Sequence, residues 1–168
     1  MEQRSIELIV RALNDAPSRY LIAGGLAVVA HGYVRFTADL DLILGLEDGN
    51  VRRALRALAG LGYQPRAPVL LDEFAEAAKR RRWIEEKGLT VFSLFSREHA
   101  ATEVDLFVVE PFDFAAAYAA AARLELVPGL TATFVSYEHL LQLKRAAARP
   151  VDLDDITKLE AVHRSPAS

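Results

Sequence analysis

Ala23-Gly24-Gly25, thirteen further residues, and then Asp39-Leu40-Asp41-Leu42-Ile43-Leu44 form the stretch on which the reading of this chain turns. Tyr20 to Ala23 is a short apolar run that hands over to the glycines. Leu26 to His31 reads as a short helix, with Gly32 as its left-handed cap. Alternation then places Asp39, Asp41 and Ile43 on one face of a strand and Leu40, Leu42 and Leu44 on the other. Two carboxylates held side by side repel, and burying them is costly unless a cation neutralises the charge. A hard divalent ion does so, and Mg²⁺ takes only one or two protein carboxylates, leaving positions for phosphate oxygens. The glycines stand where bare backbone N–H groups at a helix start can approach a phosphate. Singly, an Asp-x-Asp also marks a solvated strand face, and a Gly-Gly a tight turn. In this order and on these elements they point to phosphoryl-transfer chemistry.

Outward from this stretch, helix and strand patterns interleave, which is an α/β arrangement around a mixed β-sheet. Helical spacing covers Ile6 to Leu13, Asn50 to Leu61 with Asn50 as N-cap, Leu71 to Lys87, and Pro111 to Arg123. Leu89 to Phe95 and Glu103 to Val109 read as a strand hairpin, and Thr131 to Val135 as a short strand. Ser136 opens a last helical region, broken at Pro150 and resumed over Asp152 to Val162. A single domain over 1–168 is expected, with a core at about 18–110 and a helical C-terminal segment at about 111–162.

Composition narrows the chemistry. The chain has no cysteine, which removes disulfides, zinc–thiolate and iron–sulfur sites and thiol nucleophiles. Its net charge of −3 is not the basic footprint of a duplex-DNA binder. No apolar run is long enough to span a bilayer and no signal peptide stands at the start, so a soluble cytoplasmic protein is expected. No Ser, His and Asp fall in a nucleophile-elbow context, which disfavours hydrolase chemistry.

The run Gly24-Gly25 … Arg35-Phe36-Thr37-Ala38-Asp39-Leu40-Asp41-Leu42 resembles the signature of the DNA polymerase β-like nucleotidyltransferases. Arg35-Phe36-Thr37 and the tail Lys144 … Arg149-Pro150-Val151-Asp152-Leu153-Asp154-Asp155-Ile156 are similar to small prokaryotic members, including AbiEii-type toxins. The resemblance implies the nucleotidyltransferase fold, with a third carboxylate, Asp105, on a strand beside that of Asp39 and Asp41. It further implies that Asp39, Asp41 and Asp105 bind two Mg²⁺ ions, or Mn²⁺, with an NTP. Asp105 would then help to deprotonate an acceptor hydroxyl.

Other residues carry two readings each. Lys144, one of four lysines, is a surface residue or one whose stem packs while its ammonium reaches a cleft and the triphosphate. Asp152 caps a helix or belongs to the site, and Asp155 is structural. Arg35 contacts phosphate, braces Asp39, or forms a structural salt bridge; Thr37 bonds a carboxylate or begins the strand. His31 reads as a helix-terminal residue, and His99 and His163 as loop or tail residues. Lys79 to Arg82 is a solvated helix face or a steering patch for RNA, with Trp83 stacking nearby. Three functions follow: nucleotidyl transfer to an RNA or protein hydroxyl, with a toxin–antitoxin role in view; an inactive nucleotidyltransferase-like module acting by protein binding; or transfer to a small-molecule antibiotic. The short chain leads to the expectation of a partner protein or a homodimer.

Overall fold

In a computed structural model of the chain, which describes residues 1–164, helix α1 (Gln3–Asp15) leads into strand β1 (Tyr20–Ile22), α2 (Gly24–Ala30) and β2 (Asp39–Leu44). Next come α3 (Asp48–Gly60), β3 (Gln64–Pro65), a 3-10 turn at Leu71–Ala75, and α4 (Ala77–Lys87). β4 (Val91–Phe95) and β5 (Glu103–Phe107) form the expected hairpin. Then follow α5 (Phe114–Ala119), β6 (Ala122–Val127), β7 (Leu130–Phe134), α6 (Tyr137–Ala147) and α7 (Pro150–Arg164). This is the mixed α/β architecture the sequence pattern predicts.

The strands form one mixed sheet in the order β3-β4-β5-β2-β1-β7-β6. β2 is therefore the central strand, antiparallel to β1 and parallel to β5. Its Leu40 and Leu42 are fully buried and pair in register with Val104 and Leu106 of β5, which in turn meet Leu94 and Phe92 of β4. α4 closes this apolar face through Trp83, whose ring stacks on Phe92 at 5.2 Å. On the opposite face the same three strands present half-buried residues, among them Asp39, Asp41, Ser93 and Asp105. Strand alternation thus divides an apolar core from an acidic face.

Three expectations need correction. The helix expected over Leu71 to Lys87 is broken at Glu76, whose backbone is extended. Arg80 holds the break by donating to the carbonyls of Phe74 and Ala75 at 2.5 and 3.0 Å. The helix expected over Pro111 to Arg123 stops at Ala119, because Arg123-Leu124-Glu125-Leu126 alternates with period two and pairs with β7 across a Pro128-Gly129 turn. Gly129 takes φ 81° there, a conformation that favours glycine. Asn50 lies inside the first turn of α3 rather than capping it, since the helix already starts at Asp48.

Asn50 has a larger role than a cap. Its buried amide accepts from Arg19 N–H (2.7 Å) and donates to the carbonyls of Arg19 (2.9 Å) and Gly45 (2.8 Å). It thereby ties the entry of β1 to the exit of β2. Asn50→Ala strands these backbone groups, and urea denaturation is expected to show a loss of roughly 2–4 kcal/mol, from several unmade bonds of about 1 kcal/mol each plus their desolvation.

Candidate active site

β2 and β5 bring the acidic residues together because they are parallel neighbours in a fixed register. Asp41 lies opposite Asp105, and Asp39 opposite Glu103. All four project to the half-covered face, so like charges crowd one surface. Burial, then repulsion from Asp105 and Asp39, raises the Asp41 carboxyl to about 6, even though Lys144 and Arg149 attract its ionised form. Burial chiefly raises Asp105 as well; Asp39 and Glu103 add to it, and Ser93 and Arg66 oppose it. Asp105 Oδ1 is buried without a hydrogen-bond partner. Glu103 is engaged by Arg66, whose Nε donates to it at 2.9 Å.

Opposite the carboxylates stands a buried ion network at the α6–α7 junction. Lys144 is only 4% exposed, 2.9 Å from Asp152 and 2.7 Å from Asp155. Asp152 also accepts from Arg149 Nε at 2.7 Å and from the Arg149 N–H at 3.3 Å. Burial alone would raise the Asp152 carboxyl, but the hydrogen bonds from Arg149 and Lys144 outweigh it and hold it at about 2. Arg35 Nε reaches Asp155 at 3.3 Å. Lys144 is therefore not a free surface ammonium, and Arg35 braces Asp155 rather than Asp39. Asp152 lies inside the first turn of α7, which starts at Pro150, rather than standing ahead of the helix as its cap; from there its carboxylate accepts from the Arg149 N–H that precedes the helix.

The two halves meet at a hollow of about 110 Å³ bordered by Gly24, Asp41, Phe107, Lys144, Arg149 and Asp152. Gly24, at φ 60°, lies so close that a Cβ would overlap the Asp41 carboxylate. A Cβ on Gly25 would overlap the Thr37 hydroxyl and stand 2.7 Å from Arg35 Nη2. The strand-to-helix turn and the loop before β2 are thus packed directly on one another. Larger hollows, such as one of about 390 Å³ beside Glu2, Ser5 and His99, do not adjoin these carboxylates.

Gly24, Gly25, Arg35, Thr37, Asp39, Asp41, Asp105, Lys144 and Asp152 accordingly gather around one region of the fold. Arg149 and Phe107 join it without having been singled out as site residues; Arg149 was legible only as part of the tail pattern. The Lys79–Arg82 patch does not join it. Lys79 pairs with Glu73 at 2.8 Å, Arg80 is buried, Arg82 pairs with Glu86 at 3.5 Å, and Trp83 is 7% exposed. The patch belongs to α4, across the sheet from the acidic face, and Trp83 is unavailable for stacking on a base.

Among the described residues no three His, Asp or Glu side chains stand ready-grouped to hold an ion. The donor chemistry of the acidic face nevertheless fits a hard divalent cation. Asp105 carries an orphaned buried oxygen, and Asp41 and Asp105 are both raised above the ordinary carboxylate range, chiefly by burial and further by the neighbouring carboxylates, whose repulsion a cation would offset. No protein-family profile matches the chain, and no curated protein is similar to it at a significant level. Among the described residues no helix is long and apolar enough to cross a membrane.

Two outcomes follow from these charges. Asp41 is raised from 3.8 to about 6, so its contribution to stability is full below about pH 4 and is lost as pH rises through about 6. Thermal melts of Asp41→Asn should lack this decline and exceed the parent protein at pH 7.5 by about 2–6 °C. By contrast, Lys144→Met leaves Asp152 and Asp155 buried without their shared cation. Denaturation should register a loss of roughly 3–5 kcal/mol, the usual cost of breaking a buried ion pair from one side.

Proposed function

We propose that this chain is a divalent-metal-dependent nucleotidyltransferase of the polymerase β-like fold, moving a nucleoside monophosphate from an NTP to an acceptor hydroxyl with release of pyrophosphate. The observation that carries the reading is the parallel register of Asp41 against Asp105 between β2 and β5, with Asp39 on the same face. Asp39, Asp41 and Asp105 would hold Mg²⁺, or Mn²⁺ in its place. When bound, such ions neutralise phosphate charge and stabilise the attacking and leaving oxygens.

The chain's own residues do the rest. Asp105, made more basic by burial, accepts the proton of the acceptor hydroxyl. Lys144 and Arg149 supply fixed positive charge across the hollow from Asp41, suited to the triphosphate, and Asp152 and Asp155 keep Lys144 in place. Gly24 keeps backbone close to the Asp41 carboxylate, and Gly25 close to Thr37 and Arg35, where any side chain would intrude. The acceptor is a hydroxyl on RNA, protein or a small molecule. The basic run on α4 lends RNA no support, because its charges are largely paired or buried on the far side of the sheet.

Calorimetry with each NTP in Mg²⁺, and label transfer from α-labelled NTPs onto cell extract, test the reading. At least one NTP is expected to bind only with divalent metal and to label an acceptor. Asp41→Asn and Asp105→Asn should each reduce transfer by about 10²–10³-fold while circular dichroism is unchanged. Absence of metal-dependent binding for every NTP, in Mg²⁺ and Mn²⁺ alike, refutes it. Binding without transfer points instead to a module that acts by protein association.

A further inference from the structure

β6 ends the sheet, and among the described residues nothing pairs with its outer edge. Arg123, Leu124 and Glu125 are all exposed, and Leu124 is a large apolar side chain left 38% open. Edge strands of this kind offer a row of unpaired N–H and C=O groups and are commonly guarded by like charges or short length. Here the guard is of an unusual kind, because the flanking charges are of opposite sign.

Arg123 and Glu125 lie two apart and so share one face of the strand. Each stands opposite a neutral threonine on β7, Thr133 and Thr131 respectively. Neither has an oppositely charged partner within 4 Å among the described residues. Arg123 donates only to the carbonyls of Ala121 (3.4 Å) and Tyr118 (3.2 Å), and Glu125 Oε1 accepts from Gly129 N–H (2.7 Å). Donors on the guanidinium and the second carboxylate oxygen remain open to a further partner.

We infer that β6 is a homodimer interface, at which two copies of this chain pair antiparallel about a two-fold axis through Leu124. An antiparallel two-fold centred there sets Leu124 against its own counterpart, Arg123 against Glu125 of the second copy, and Glu125 against Arg123. The strand is self-complementary in charge and in apolar contact, and the sheet runs on from one chain into the next. The bulge between Glu125 and Val127 falls outside this central triplet. A strand from an unrelated protein would have no reason to match this sign pattern, whereas a second copy matches it by symmetry. The edge is present whatever reaction the acidic face performs.

Sedimentation velocity at 1–200 µM should give a species of twice the 18.5 kDa chain mass. Arg123→Glu and Glu125→Arg should each weaken the dimer by about 10-fold or more through like-charge contacts, and the double exchange Arg123→Glu/Glu125→Arg should restore it. The chain has no cysteine, so a single Leu124→Cys introduces the only thiol. Directly opposed residues in an antiparallel pair have Cα atoms about 4.5–5.5 Å apart, within disulfide range, so mild oxidation should cross-link this variant rapidly. Leu153→Cys on the exposed side of α7 serves as the control. A monomer at 200 µM, no rescue by the double exchange, or cross-linking of Leu124→Cys no faster than the control would each overturn the proposal.

Discussion

The repulsion between Asp41 and Asp105 is the constraint around which the rest is arranged. Both sit on the central parallel pair of the sheet, where buried leucines on the other face allow neither strand to slide. A shift of one residue would turn Leu40 and Leu42 outward and the aspartates into the core, so the apolar side fixes the register that keeps the charges together. The strain of like charges is thus held by hydrophobic burial. It is relieved in part by Lys144 and Arg149 and further by any cation the acidic face binds.

That relief depends on the α6–α7 junction. Lys144 comes from α6, Asp152 and Asp155 from α7, and Arg35 from the loop that runs into β2. Buried ion pairs of this sort contribute little net stability, since desolvation offsets most of the attraction, but they are costly to break from one side. They act here as a latch that ties the C-terminal helices and the loop before β2 to the sheet. The site is consequently assembled from three separated parts of the chain.

Local periodicity made most of the architecture legible. The alternation of Asp39–Leu44, the hairpin of β4 and β5 and the glycine turn all read correctly because each is decided by neighbours in sequence. Where the reading failed, alanine was often the cause. Ala115–Ala121 has strong helix propensity, and it masked the period-two pattern of Arg123 to Leu126, whose strand exists only because β7 lies beside it. Asn50 shows the same limit of local pattern: a cap and a buried amide bridge look alike until Arg19 and Gly45 are seen on either side. The four-residue basic run was also ambiguous: the Arg82–Glu86 pair has local i,i+4 spacing, but the pairing of Lys79 with Glu73 and the burial of Arg80 depend on the break at Glu76.

By itself the sequence determined an α/β chain, a strand with two carboxylates on one face, a glycine turn ahead of it and a third candidate carboxylate at Asp105. The first three follow from side-chain periodicity and backbone preference, which act over a few residues; Asp105 was pointed to only by the resemblance to the polymerase β-like nucleotidyltransferases. Tertiary structure alone decided that Asp105 stands beside Asp41, that Lys144 is locked between Asp152 and Asp155, and that Trp83 is core. It also left β6 as an open edge. The physical reason is that charge interactions and strand pairing depend on distance in space, and folding brings together residues far apart in the chain, as with Arg35 and Asp155.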